Sequence, residues 1–204
     1  KLARTKIVTL AHNATATLPS LESSEDIYAE YASKLIANNL KSVTTLSAYE
    51  YSNIDASKLE VIHGQFTIMM GANINFPKLH TVDYCEFGSS GSTGPAYSSG
   101  KLKPDTNKLF SFPGLKSARH IRLNENVELD LPELLNIDDS LQVFEASINV
   151  PKIKKIHSLR VEGGTFNNSS LAATDMVSAV NSTINLPNVK GSVWAVFVTE
   201  GEVF

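Results

Sequence analysis

Two kinds of chemistry lie within reach of this sequence. Glu86 and Arg122 are a carboxylate and a guanidinium that a site cleaving a polysaccharide would want in one groove. Tyr49, Tyr84, Arg122, Phe144 and Arg160 are of the types that most often anchor a binding partner. Other chemistries lack their parts. The five histidines, His12, His63, His80, His120 and His157, form no i, i+4 pair and no HExxH, so no metal site is expected. Cys85 is the single cysteine, which excludes an intrachain disulfide and a cysteine-based metal site. There is no GxSxG, no P-loop and no GxGxxG after a strand, and "EGG" at 162–164 reads as a turn. No cofactor is expected.

Bulk properties narrow the field further. Net charge is −3 over 204 residues, so no overall positive field exists to displace counterions from nucleic acid. No apolar run approaches the roughly 18 residues of a membrane span, and none is expected to insert. No charged-then-apolar leader follows Lys1, so any secretion signal is expected to be removed or absent.

What would position Glu86, Arg122 and the aromatics is a repeat. Taking the proline of "INFPKL" as marker, equivalents fall at Asn38, Ser57, Pro77, Pro113, Pro132, Pro151 and Pro187. Most steps are 19 or 20 residues, and two are 36. Two positions after the marker stand Leu40, Leu59, Leu79, Leu115, Leu134, Ile153 and Val189. Apolar-x-apolar pairs follow, such as Phe66/Ile68, Cys85/Phe87 and Ile121/Leu123, and others precede the marker, such as Ile54/Ala56 and Leu129/Leu131. Alternation at period two marks a strand with one buried face. A unit this short cannot bury that face alone, but stacked units make a continuous core. The fold class expected is a β-rich solenoid of parallel short strands, like a leucine-rich repeat or a right-handed β-helix, with proline at one corner.

Stacking turns function into a matter of columns. On the second strand the outward column is Ser47, Thr67, Glu86, Arg122, Gln142 and Arg160, flanked by Tyr84 and His120 on one side and by Tyr49, Met69 and Phe144 on the other. Tyr49, Met69, Tyr84, Glu86, His120, Arg122, Phe144 and Arg160 are therefore the expected binding surface. A basic edge is expected after the proline corner, from Lys41, Lys58, Lys78, Lys116, Lys152, Lys154 and Lys190, which either attracts acidic partners or keeps an edge solvated. Cys85 shares the inward column of Leu46, Ile121 and Leu159 and should be an inert core thiol.

Some segments depart from the period. Residues 24–38, "SEDIYAEYASKLIAN", place Ile27, Tyr31 and Leu35 on one helical face behind a Ser24 N-cap, which predicts a helix capping the solenoid. Residues 1–37 then hold a strand and this cap, and 38–204 the repeats, with insertions at 88–105 and 164–182. The first insertion, "GSSGSTGPAYSSGKLKPD", reads as an exposed loop. The second contains "SSLAATDMVSAVNS", where Leu171, Met176 and Val180 suit a short helix. The closing "SVWAVFV" reads as a strand covered on both faces, or an end that meets further chain or a partner.

The pattern LxxLxxLxLxxN is met by Leu115, Ala118, Ile121, Leu123 and Asn126. Over about residues 38–198 the chain resembles leucine-rich repeats, in particular receptor L domains and the BspA-like proteins of bacterial surfaces. It departs from them at the ladder asparagine, whose counterparts are Tyr51, Gly71, Ser90, Ala146 and Gly164. The resemblance implies a non-enzymatic module, at the cell surface or secreted, that serves adhesion by binding a protein or a carbohydrate. Two alternatives stay open: a polysaccharide lyase or hydrolase on a β-helix, and a structural spacer of a larger surface protein.

Overall fold

The computed structural model describes residues 2–69, 71–88, 108–190, 193 and 195–204. Its described residues form a parallel β-solenoid with no helix. The long strands β1 (Arg4–Leu10), β3 (Ser23–Ala29), β5 (Ser42–Ala48), β7 (Val61–Ile68), β9 (Thr81–Phe87), β11 (Ser117–Leu123), β13 (Asn136–Phe144), β15 (Lys155–Asn167), β16 (Ala173–Asn185) and β17 (Ala195–Thr199) stack in that order into one sheet. Short strands β2 (Thr15–Thr17), β4 (Lys34–Ile36), β6 (Asn53–Asp55) and β8 (Asn73–Asn75) make a second sheet. A third holds β10 (Lys108–Ser111), β12 (Val127–Asp130) and β14 (Ser147–Asn149), and β18 (Glu202–Val203) pairs with β16.

Two tight turns close each early coil. At the proline corner the residue before the marker accepts from the residue two after it: Leu21 N–H donates to Leu18 O, Leu134 to Leu131 and Ile153 to Val150. Proline suits the second place of such a turn because its φ is preset and it has no N–H to lose. At the opposite corner Ala14 donates to Ala11, Ser33 to Glu30 and Ser52 to Tyr49. Both central residues there have positive φ: 51° and 64° at His12 and Asn13, 51° and 56° at Tyr31 and Ala32, 47° and 62° at Glu50 and Tyr51. That is a type I′ turn built almost without glycine, at about 1–2 kcal/mol per residue of left-handed strain. The coil ladder holds it, since Asn13 N–H bonds to Tyr31 O and Ala32 N–H to Glu50 O.

The core contains the expected inward columns, and Ile27 and Val177 of the two segments expected as helices extend them. Ile27, Leu46, Phe66, Cys85, Ile121, Leu141, Leu159 and Val177 succeed one another in register and are buried. Burial also pushes the Cys85 thiol upward, which keeps it protonated and inert. In the middle coils Phe66 packs on Phe76, Phe87 and Phe112, with ring centres 5.6–5.9 Å apart.

Neither expected helix forms. Over 24–38 the chain makes β3, a turn at Tyr31–Ala32 and β4, and Leu21, Ile27, Ala29, Leu35 and Ala37 are fully buried in the columns. Pro19 is the marker of this coil. A helix of that length gains little on its own, whereas a strand here satisfies the ladder edge of β5 and continues the apolar stack. The spacing of Ile27, Tyr31 and Leu35 fits both readings, and tertiary pairing decides.

In place of the helix expected over 169–182, β16 begins at Ala173 and pairs with β15 from Lys155↔Ala173 to Asn167↔Asn185. Its buried apolar residues are Val177, Ala179 and Ile184, while Met176, expected on the buried helical face, is 39% exposed. The step from Pro151 to Pro187 therefore holds a whole further coil. Its corner lacks proline; instead Asn168 Oδ1 accepts from the N–H groups of Ser170 and Leu171, both at 2.8 Å. Of the expected loop at 88–105, Gly88 alone is among the described residues. The closing segment is a strand as expected, but Val196, Phe197 and Val198 of β17 are exposed, not covered.

Candidate functional site on the long-strand face

Parallel register brings equivalent residues of adjacent long strands to about 4.7–4.9 Å. Tyr84 pairs with His120 and Glu86 with Arg122 across β9 and β11, although residues 88–116 separate the two strands. Arg122 pairs with Gln142 of β13, Gln142 with Arg160 of β15, and Phe144 with Glu162. Six of the eight expected residues thus meet on four successive strands.

Four of these side chains, Glu86, Arg122, Phe144 and Arg160, form one connected belt. Arg122 stacks over the Phe144 ring at 4.9 Å from its centre, and Arg160 lies over the same ring at 5.3 Å. One aromatic ring thus holds two guanidinium groups, an attraction between cation and ring quadrupole. Arg160 donates to Glu162 at 3.1 Å. At the other end Glu86 is only 9% exposed. Its Oε1 accepts from Asn124 Nδ2 at 3.3 Å and lies 3.7 Å from Arg122 Nε, which also donates to Asn124 Oδ1 at 3.2 Å.

Beside this belt the Tyr84 and His120 rings stack with centres 4.5 Å apart and planes 2° from parallel. His120 Nδ1 is 2.5 Å from Ser140 Oγ. Burial holds the His120 imidazole below its ordinary range, opposed by Asp139 and reinforced by Arg122 and Arg119. Burial, with Glu86 next, raises the Tyr84 hydroxyl, while Arg122 opposes.

Tyr49 and Met69 follow β5 and β7, and their N–H groups donate to Ala29 and Ala48. They lie on coils preceding the belt. The same hydrogen-bonded column continues through Gly88, bonded to Ile68, to Asn124, bonded to Phe87. Gly88 is required there: its φ is 86°, and a Cβ would come within 2.9 Å of Val127. Asn124 and Ser140 also belong to the site but were not singled out by residue type. Their place two residues after Arg122 and beside His120 in register is the signal that finds them.

The column after the proline corner, where the basic edge was expected, is continuous in backbone bonding but mixed in charge. Backbone bonds link Glu22, Lys41, Glu60, His80, Lys116, Leu135, Lys154, Ala172 and Lys190 in order. Acids alternate with the lysines early, and Lys41 lies 3.9 Å from Glu22. Lys58 donates to Asn39 and Lys152 to Glu133, at 2.7 and 2.6 Å. Lys78, the remaining expected member, follows the Pro77 corner. Among the described residues no three His, Cys or acidic side chains converge to hold a metal. Among the described residues no helix is long and apolar enough to cross a membrane.

Fold and face together define a class: a parallel β-solenoid bearing an ordered aromatic–guanidinium belt. No family model, no curated protein and no solved structure matches the chain.

Proposed function

We propose that this chain is a non-enzymatic repeat module, displayed at a cell surface or secreted, that binds a protein or glycan through the long-strand face. The observation that carries this is the Arg122–Phe144–Arg160 stack. Rings and guanidinium planes held in place by their neighbours lose little conformational freedom on binding, and Tyr, Phe and Arg are effective anchors. Stacked Tyr84 and His120 extend the flat surface on which a sugar ring or a peptide side chain can lie. Display at a surface is taken from the resemblance to receptor L domains and BspA-like proteins.

Glu86 is the acid that the lyase or hydrolase reading would use. Its carboxylate is engaged by Asn124 and Arg122, which favours a role in holding the face together. The test is a panel of glycans and surface proteins probed with the native chain and with a Phe144→Ala/Arg160→Ala variant. Binding should fall by roughly tenfold or more, a loss of about 1.4 kcal/mol, with the far-ultraviolet circular dichroism unchanged. Equal binding by both proteins sinks the reading, and glycan turnover abolished by Glu86→Gln replaces it with the enzymatic one.

A further inference from the structure

The charges of the long-strand belt cancel where they stand. Arg122 Nε lies 3.7 Å from Glu86, and Arg160 donates to Glu162 at 3.1 Å. In the neighbouring column Arg119 lies 3.8 Å from Asp83, a third matched pair. Burial holds the His120 imidazole below its ordinary range and so uncharged at neutral pH, and Asp139 acts on it as a nearby negative charge. Among these groups no surplus cation remains to attract an acidic ligand, which would have to displace carboxylates that both belt arginines already hold.

What the belt offers is hydrogen bonding of both kinds. Gln142 stands between Arg122 and Arg160 in register, half-buried, and its amide has no hydrogen-bond partner among the described residues. Guanidinium N–H groups lie on either side of it, and the partly exposed Glu162 carboxylate adds an acceptor. A sugar hydroxyl donates and accepts at once, so it suits an amide flanked by donors with an acceptor near. Apolar area comes from Phe144, fixed by the two guanidinium groups, and from Tyr84 stacked with His120. A protein partner would instead want an apolar centre depleted of charge. From β9 to β15 the belt crosses three strand spacings, about 14 Å, the scale of a short oligosaccharide.

Resting on the reading of this face as a binding surface, we propose that its ligand is a neutral carbohydrate chain, whose hydroxyl groups meet Arg122, Gln142, Arg160 and Glu162.

Calorimetric titration of the native chain tests it, with neutral hexasaccharides of glucose, mannose and N-acetylglucosamine set against hexagalacturonate and a heparin-derived hexasaccharide. At least one neutral probe should bind, with a Kd that changes less than about twofold between about 0.05 and 0.5 M NaCl, because matched charges leave little to screen. Gln142→Ala and Glu162→Ala, both at partly exposed positions, should each weaken that binding about tenfold by removing a hydrogen-bonding group. Neutral binding indifferent to both substitutions places the sugar elsewhere and overturns the proposal. Tighter binding of an acidic probe, weakened by salt and strengthened by Glu162→Ala because Arg160 is freed, overturns the neutral ligand and leaves the binding face in place. So does a surface protein whose binding Phe144→Ala/Arg160→Ala abolishes when no hexasaccharide binds. If neither sugar nor surface protein binds, the binding face itself fails together with this inference.

Discussion

Among the described residues two His–Tyr pairs are stacked, and comparing them separates geometry from function. His12 and Tyr31 have ring centres 4.6 Å apart and planes 5° from parallel; for Tyr84 and His120 the values are 4.5 Å and 2°. Both distances are close to the spacing of neighbouring strands. Column spacing alone sets two flat side chains at stacking distance, so the stack itself marks nothing. Surroundings distinguish them. The first pair sits on a left-handed corner, beside a Glu50 carboxyl raised by burial and Glu30 and lowered by His12. The second lies on a flat sheet face against Ser140, in register with a buried carboxylate and its arginine. The corner pair is a product of stacking at a strained turn, while the face pair belongs to a connected polar network.

If that distinction is right, substitutions at the two places should differ in kind. The largest effect is expected from Arg122→Ala, which strips a partner from the mostly buried Glu86 and removes a stack on Phe144. A loss of about 1–3 kcal/mol in a urea melt follows from leaving a buried charge underpaired; a loss no greater than that of His12→Ala would erase the contrast. Next comes Ala32→Gly at the corner. The residue is exposed with φ of 56°, so relief of left-handed strain should outweigh lost chain stiffness and stabilise by about 0.5–1 kcal/mol. Destabilisation would show that the corner is not strained.

The smallest effect is one of pH. His120 has a folded-state pKa below its ordinary 6.5, so the unfolded chain takes up its proton first as pH falls. Its contribution to stability is complete above about 6.5 and is lost on acidification towards the folded value. Melts between pH 7.5 and 5 should show this slope flattened in His120→Gln, and an unchanged slope would remove His120 from the network.

Much of the architecture was legible because apolar alternation and the proline corner recur in the letters. Leu115, Leu134 and Ile153 are where stacking requires them. The coils at Pro19 and at Asn168–Ser169 were not legible, for different reasons. Ile27, Tyr31 and Leu35 satisfy helical and solenoid spacing at once, and only the open edge of β5 breaks the tie. At Asn168 a side-chain amide does the work of a proline, which no proline-based phase can register. The type I′ corners are equally silent, since Tyr31–Ala32 and Glu50–Tyr51 lack the glycine or asparagine that usually announces positive φ. As for the site, column order placed Glu86 next to Arg122, but their approach across residues 88–116 required the register of β9 and β11. The partners Asn124 and Ser140 were hidden because small polar residues look alike until a neighbour's position is known.

The parallel stack has a consequence for how this chain can change in length. Equivalent residues of adjacent coils are commonly 19 positions apart, as with Asp130 and Asn149 or Glu133 and Lys152. Losing one residue within a strand would turn its buried side chains outward. Losing a whole unit would return each column to phase and remove one layer. Growth or shrinkage by complete coils is therefore the mild alteration for this protein, and the single-residue slip the severe one.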